Sequence, residues 1–251
     1  MTQIAEHPED FPPPPATQGR IARTIQRWFM HPAEVIAVET LAPRFRLIEL
    51  EGEALPGLDW TVGQKIQVAM GTGLTARTYT PMTWDKVRGT MRVLAFAHGE
   101  GPGSQWVRSL GRGYDCQFMG PRRSLDLSGL GAPALLFGDE TAFGLAAALR
   151  TAPNAHDVIP LFEAFDGAES RPVLDALGLA DARLVQRSDG DRHLARIEAE
   201  MVSLADAGAP IILTGKASSI QRIGQALKAA GVPSSRIRAK AYWAEGKKGL
   251  D

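Results

Sequence analysis

The chain has 251 residues, with 28 Lys and Arg against 28 Asp and Glu, and one cysteine, Cys116. A formal net charge of zero excludes a protein whose main work is holding DNA or RNA, because phosphate binding needs surplus cations. A lone thiol excludes an intramolecular disulfide, an iron–sulfur cluster and a zinc ribbon, and a chain of this length buries a core without such staples.

Residues 1–19 carry Pro8 and the run Pro12–Pro15 with few apolar anchors, and read as a disordered or polyproline tail. The start is acidic and proline-rich, not basic and then apolar, so no secretory signal is expected. No apolar run reaches the ~18 residues of a membrane span, and a cytoplasmic location is the expectation. Residues 20–126 are strand-like, with strands predicted over 33–40, 45–50, 64–70, 90–97 and 114–119. Gly and Pro punctuate these runs, which predicts an antiparallel β-barrel. Cys116 reads as a packed strand residue.

The pattern changes over 133–251. Ala134-Leu135-Leu136-Phe137 is a continuous apolar run, as in a strand covered on both faces. Further strands are predicted over 157–163, 182–187, 211–213 and 237–243. Helices are predicted over 140–150, 171–177, 192–205 and 218–230. Alternation of this kind predicts a doubly wound parallel α/β domain after the barrel, divided near 126–133.

Four stretches carry chemistry. In Arg77-Thr78-Tyr79-Thr80-Pro81-Met82-Thr83, an extended chain points Arg77 and Tyr79 the same way. A guanidinium pairs with a diphosphate, a phenol ring packs on a flat heterocycle, and Thr80 offers a hydroxyl at its edge. An ordinary strand with surface Arg and Thr is the competing reading. His98-Gly99-Glu100-Gly101-Pro102-Gly103-Ser104 follows the next strand. Its glycines let the backbone approach an anion, and Ser104 is placed to cap a helix whose N-terminus attracts phosphate. A plain turn with a structural His98 is the alternative. Gly120-Pro121-Arg122-Arg123-Ser124 is a turn with two cations near the domain junction. Gly138-Asp139-Glu140-Thr141-Ala142 joins the first parallel strand to its helix, where such sheets bind ligands. Asp139 and Glu140 serve equally well as caps that complement the helix dipole, while Thr141 is a hydrogen-bond partner for a cofactor.

The Arg-x-Tyr-Thr-x-x-Thr stretch, the glycine-rich turn and the α/β half that follows resemble the ferredoxin reductase superfamily. Within it, His-Gly-x-Gly-Pro-x-Ser-x-Trp, Gly-Pro-Arg, Gly-Asp-Glu-Thr-Ala and the terminal Tyr242-Trp243-Ala244-Glu245-Gly246 resemble the siderophore-interacting protein family. The resemblance implies a non-covalent FAD in the barrel, with Arg77 and Thr78 at the pyrophosphate. Tyr79 would pack on the isoalloxazine and Thr80 would meet its reactive edge, which makes these two the candidate catalytic residues. Gly101, Pro102, Gly103 and Ser104, with His98 beside them, would hold the pyrophosphate. NAD(P)H would dock across Asp139, Glu140, Thr141 and Ala142 and the later strand ends, Trp243 included. Arg187 and Lys216 stand where cations pair with a 2′-phosphate, so NADPH is expected over NADH.

The implied activity passes hydride from NAD(P)H to FAD and then single electrons to a ferric siderophore. Hard-oxygen chelators hold ferrous iron weakly, so reduction releases it. The chain departs from the family pattern at Met82, where an arginine is common, at Gln67, where lysine is common, and at Ala244, where arginine is common. Lys65, Arg122, Arg123, Lys247 and Lys248 are left as candidate cations for a ferric siderophore or other ferric chelate. A solvated surface charge is the alternative for each. The departures keep two other readings open: a flavin reductase for a protein carrier or another small acceptor, and a protein that binds siderophore or flavin without turnover. No nucleic-acid partner or membrane span is expected, and a monomer is the expectation.

Overall fold

The computed structural model describes residues 30–69, 76–151 and 157–246. The expected tail over 1–19, and Lys247 and Lys248, lie outside the described residues.

Seven strands form the first sheet: β1 (His31–Ala42), β2 (Phe45–Glu51), β3 (Lys65–Ala69), β4 (Ala76–Tyr79), β5 (Pro81–Asp85), β6 (Thr90–Phe96) and β7 (Tyr114–Arg122). They pair antiparallel in the order β4-β3-β7-β1-β2-β6-β5 and curl, barrel-like, around Val35, Ile48, Leu50, Ile66, Val68, Met91, Val93 and Phe118. Alternation drives this: Met91, Val93 and Ala95 of β6 face inward, each about 1% exposed or less. Burying a side chain such as Met91 or Val93 contributes about 1.5–3 kcal/mol. One helix, α1 (Pro102–Ser109), lies between β6 and β7.

β4 and β5 were not predicted from hydrophobic pattern. No residue of β4 is fully buried, and beyond the partly buried Tyr79 its place in the sheet rests on backbone pairing with β3, where Ile66 faces Tyr79 and Val68 faces Arg77.

The second sheet holds β8 (Ala134–Gly138), β9 (Val158–Ala164), β10 (Arg183–Gln186), β11 (Ile211–Lys216) and β12 (Ile237–Trp243), all parallel, in the order β10-β9-β8-β11-β12. Helices α2 (Phe143–Thr151) and α3 (Gly167–Ala176) cover one face, against Leu136, Phe162 and Ile212. Helices α4 (Leu194–Ala205) and α5 (Ala217–Ala229) cover the other, against Leu135, Phe137, Leu161, Ile211 and Leu213. Neighbouring residues along each strand thus serve opposite faces, which is why these strands read as continuous apolar runs. The strand order reverses between β8 and β11, so their carboxyl ends flank the crevice where open α/β sheets bind ligands. α3 begins a turn earlier than expected because Asp166 caps it, accepting from the Ala168 and Glu169 amides.

The two sheets share one apolar core. Phe45 of β2 stacks on Phe143 of α2, with ring centroids 5.8 Å apart and planes 2° apart. Met82 lies in the same core, and a Cβ on Gly144 would come within 3.3 Å of its Cγ. That packing suits methionine at this position, since an uncompensated charge there would be costly. Beside this core, Arg44 donates from its backbone N and its Nε to the Glu169 carboxylate, both at 2.6 Å. Among the described residues no helix is long and apolar enough to cross a membrane, and no cluster of metal-ligating side chains occurs.

Candidate functional site

A cleft of about 250 Å³ opens between the barrel, α1, the turn after β8 and the end of β12. Arg77 and Tyr79 both line it, on the shared side that an extended strand dictates, and Thr80 follows as the single residue between β4 and β5. Gly101 is the N-cap of α1, Pro102 is its first residue, and Gly103 comes next. A Cβ on Gly103 would lie 2.8 Å from Arg77 Nε, so only glycine lets the guanidinium lie against the start of the helix. A cation and the free N–H groups of a helix N-terminus thereby sit side by side, which is a cradle for a diphosphate.

Ser104 corrects the expectation of a cap. It lies inside the first turn, and its hydroxyl donates to the His98 carbonyl at 2.9 Å, tying the helix to the exit of β6. Tyr79 packs against Trp106 with ring centroids 6.1 Å apart, and burial pushes its phenol well above the ordinary range, so the ring is uncharged. Thr80 lies beside Tyr242, whose fully buried phenol is pushed up to about 12 by burial. Thr78 is exposed on the other side of β4 yet reaches the cleft wall. The His98 ring stacks on Trp243 at 5.9 Å and 24°, and Phe96 lies 6.2 Å away on the barrel side. Burial is the main cause that holds the His98 imidazole below its usual value, with the Arg77 and Arg187 charges adding to it.

The strand exit at Asp139 is a buried network. Asp139 Oδ1 accepts from the Thr141 N–H at 2.9 Å and from the Thr141 hydroxyl, while Oδ2 accepts from Trp243 Nε1 at 2.7 Å. Glu140 Oε1 accepts from the Phe165 amide at 2.5 Å and Oε2 from Arg187 at 3.0 Å. Burial raises the Glu140 carboxyl, with Arg187 opposing. Glu163 accepts from His193 Nε2 at 2.7 Å and stands 3.5 Å from Arg187 Nε.

This network engages several of the expected site residues. Glu140 and Ala142 are 2% and 0% exposed and belong to the packing of the strand exit; of that motif, Thr141 lines the cleft. Arg187 turns inward to three carboxylates. Burial works against its charge, but Glu140, Asp139 and Glu163 outweigh this and raise it. Lys216, the last residue of β11, is 8% exposed and bonds Glu245 at 2.8 Å, with Asp191 at 3.4 Å. Both cations expected at a 2′-phosphate are thus ion-paired within the protein. Cys116 is buried in the barrel, which pushes its thiol up to about 11 and suits the structural reading.

Of the expected substrate cations, Lys65 lines the cleft, whereas Arg122 and Arg123 are exposed outside it. Lys240, which the sequence reading missed, joins Lys65 there. Its signal was available: on β12 it stands two residues before Tyr242 and shares that face. A larger cavity, of about 970 Å³, is rimmed by Glu34, Glu51, Glu53 and Asp115; no motif residue reaches it, and its acidic rim repels an anionic cofactor.

The residues present fit FAD: the Arg77–Gly103 contact provides for its diphosphate, and the aromatic walls of Tyr79 and Trp243 provide for a flat ring. Fold and cleft together define an FAD-binding protein with a ferredoxin reductase-like fold. A ferredoxin reductase in carbazole 1,9a-dioxygenase shares the fold at a TM-score of 0.68 and 18% identity, covering 85% of this chain and 69% of that one. Residues 69–125 match the siderophore-interacting FAD-binding domain and residues 132–246 match the siderophore-interacting protein model, and the chain belongs to the siderophore-interacting protein family. The siderophore utilization protein from T. fusca is similar at a TM-score of 0.66 and 21% identity, covering 88% of this chain and 95% of that one. The siderophore-interacting protein from Acinetobacter baumannii is similar at 0.70 and 14%, covering 87% and 91%. No curated protein matches the sequence.

Proposed function

We propose that this protein is an NAD(P)H-dependent reductase of ferric siderophores that works through bound FAD, as a monomer in the cytoplasm. The observation that carries the reading is the cleft in which the Arg77–α1 cradle, Tyr79, Thr80 and Trp243 converge beside the exit of β8 and the end of β12. The barrel half up to about residue 126 is the flavin half, and the half from 133 takes the dinucleotide.

Held by Arg77 and the start of α1, FAD would supply the hydride and one-electron redox chemistry that no side chain provides. Arg77 and the α1 amides balance the diphosphate charge. Tyr79 gives the ring an aromatic wall. Thr80 offers its hydroxyl at the reacting edge. Trp243, fixed by Asp139, covers the opposite side and keeps water out. Lys65 and Lys240 bring positive charge to the cleft of a chain with zero net charge, which suits an anionic ferric chelate as substrate. Gln67 and Ala244 favour a second reading, in which the acceptor is a protein carrier or a different small molecule.

An absorbance spectrum tests the first reading. Addition of NADH or NADPH should bleach the flavin band, and ferric siderophore should then restore it anaerobically while a ferrous chelator traps iron. A protein that neither holds nor takes up flavin would overturn the reading. Prompt reoxidation by a ferredoxin-type carrier alone would move it to the second.

A further inference from the structure

The dinucleotide edge of the parallel sheet holds more acid than base. Five carboxylates face two cations: Asp139, Glu140 and Glu163 stand 3.0–3.5 Å from Arg187, and Asp191 and Glu245 stand 3.4 and 2.8 Å from Lys216. The three acids around Arg187 are 2% exposed or less at their side chains, so the guanidinium cannot swing outward without stranding buried charges. His193 brings nothing free, because Nδ1 accepts from the Ser188 amide at 3.2 Å and Nε2 faces Glu163. The loop after β10 that carries Asp191 adds one further acid, Asp189, and one exposed cation, Arg192, whose Nε donates to the Asp189 carbonyl at 3.2 Å.

Asp191 is the one non-glycine residue with positive φ among the described residues, at 54°. Its contact with Lys216 sets this loop over the carboxyl end of β11, at the strand reversal. Both of its oxygens stand 3.4 Å from the ammonium, a long contact that leaves its lone pairs open to a better donor. A carboxylate at such a strand end accepts a ribose hydroxyl, whereas a 2′-phosphate needs an uncommitted cation.

We infer that the dinucleotide taken here is NADH, and that Asp191 is the residue that sets this specificity: its carboxylate accepts the adenosine ribose hydroxyl and repels the 2′-phosphate of NADPH. The inference rests on the reductase reading above.

Two measurements on the purified flavoprotein test it. Titration calorimetry with ADP-ribose and with 2′-phospho-ADP-ribose reads binding without any redox step. The unphosphorylated fragment should bind tighter by about tenfold or more, the order of discrimination a mismatched group supplies. Asp191→Asn should narrow that ratio, and higher ionic strength should narrow it too, because repulsion by an exposed carboxylate is screened. Equal or tighter binding of the phosphorylated fragment, no binding of either, or an unchanged ratio in Asp191→Asn would overturn the inference. Flavin bleaching separates the two claims: NADPH bleaching as fast as NADH sinks only the specificity, whereas bleaching by neither sinks the reductase reading.

Discussion

The Trp243 indole donates to the buried Asp139 carboxylate at 2.7 Å across 104 residues of sequence, so the last strand is pinned to the exit of the first parallel strand. The space for this bond comes from Gly215. Its φ is +102°, and a Cβ there would lie 2.6 Å from Asp139 Oδ2. Trp243→Phe should keep the ring against His98 but leave a buried acceptor short of its donor, at a cost of about 1–3 kcal/mol in chemical denaturation. Gly215→Ala should cost more than that, because it adds an unfavourable backbone angle to the displaced carboxylate.

Gly103→Ala separates stability from cofactor binding. Alanine favours a helix over glycine by up to about 1 kcal/mol, so the fold should hold or gain. The new Cβ, 2.8 Å from Arg77 Nε, moves the guanidinium off the helix start. The ratio of flavin to protein absorbance should fall while the circular dichroism spectrum stays the same. An unchanged flavin content would remove Arg77 from the diphosphate cradle.

The two sheets are clamped by Arg44 on Glu169, whose carboxylate takes two bonds of 2.6 Å from one residue. Arg44→Ala should cost about 1.5–3 kcal/mol, the range for hydrogen bonds to a charged group. Arg44→Lys should recover only part, since an ammonium lacks the planar fork. The readout is the denaturation midpoint of each variant.

Stability should fall in acid partly through His98. Its imidazole titrates below the ordinary 6.5 in the folded chain, chiefly because of burial. As pH drops through 6.5, the unfolded chain takes the proton first and gains; the loss levels off below the folded value. His98→Phe, which keeps a ring between Phe96 and Trp243, should flatten thermal unfolding between about pH 7 and 5 relative to the parent. An identical slope in the variant would assign the acid loss elsewhere.

Lys240→Ala should raise KM for an anionic ferric chelate several-fold and leave flavin bleaching by the dinucleotide unaltered. Turnover of an uncharged acceptor should change little, which distinguishes lost attraction from a damaged cleft. Equal effects on both acceptors would dismiss Lys240 as a substrate contact.

Much of this was legible in the sequence because it depends on neighbours along the chain. Alternation in 90–97 and 45–50 marks barrel strands, and the unbroken run Ala134–Phe137 marks a strand covered on both faces. The placement of Arg77 with Tyr79 follows from strand geometry alone. Partners chosen at long range were not legible. Arg187 and Lys216 are cations in any reading, yet the carboxylates that claim them come from different strands and loops, and only the folded chain sets Asp139, Glu140 and Glu163 within 3.5 Å of one guanidinium. Ser104 looked like a cap because its position in the first turn depends on where Gly101 starts the helix. Local periodicity thus determined the two-part architecture and the shared side of Arg77 and Tyr79. Tertiary packing decided which charges remain free to meet a ligand, because a charge removed from water must find its partner wherever the fold brings one.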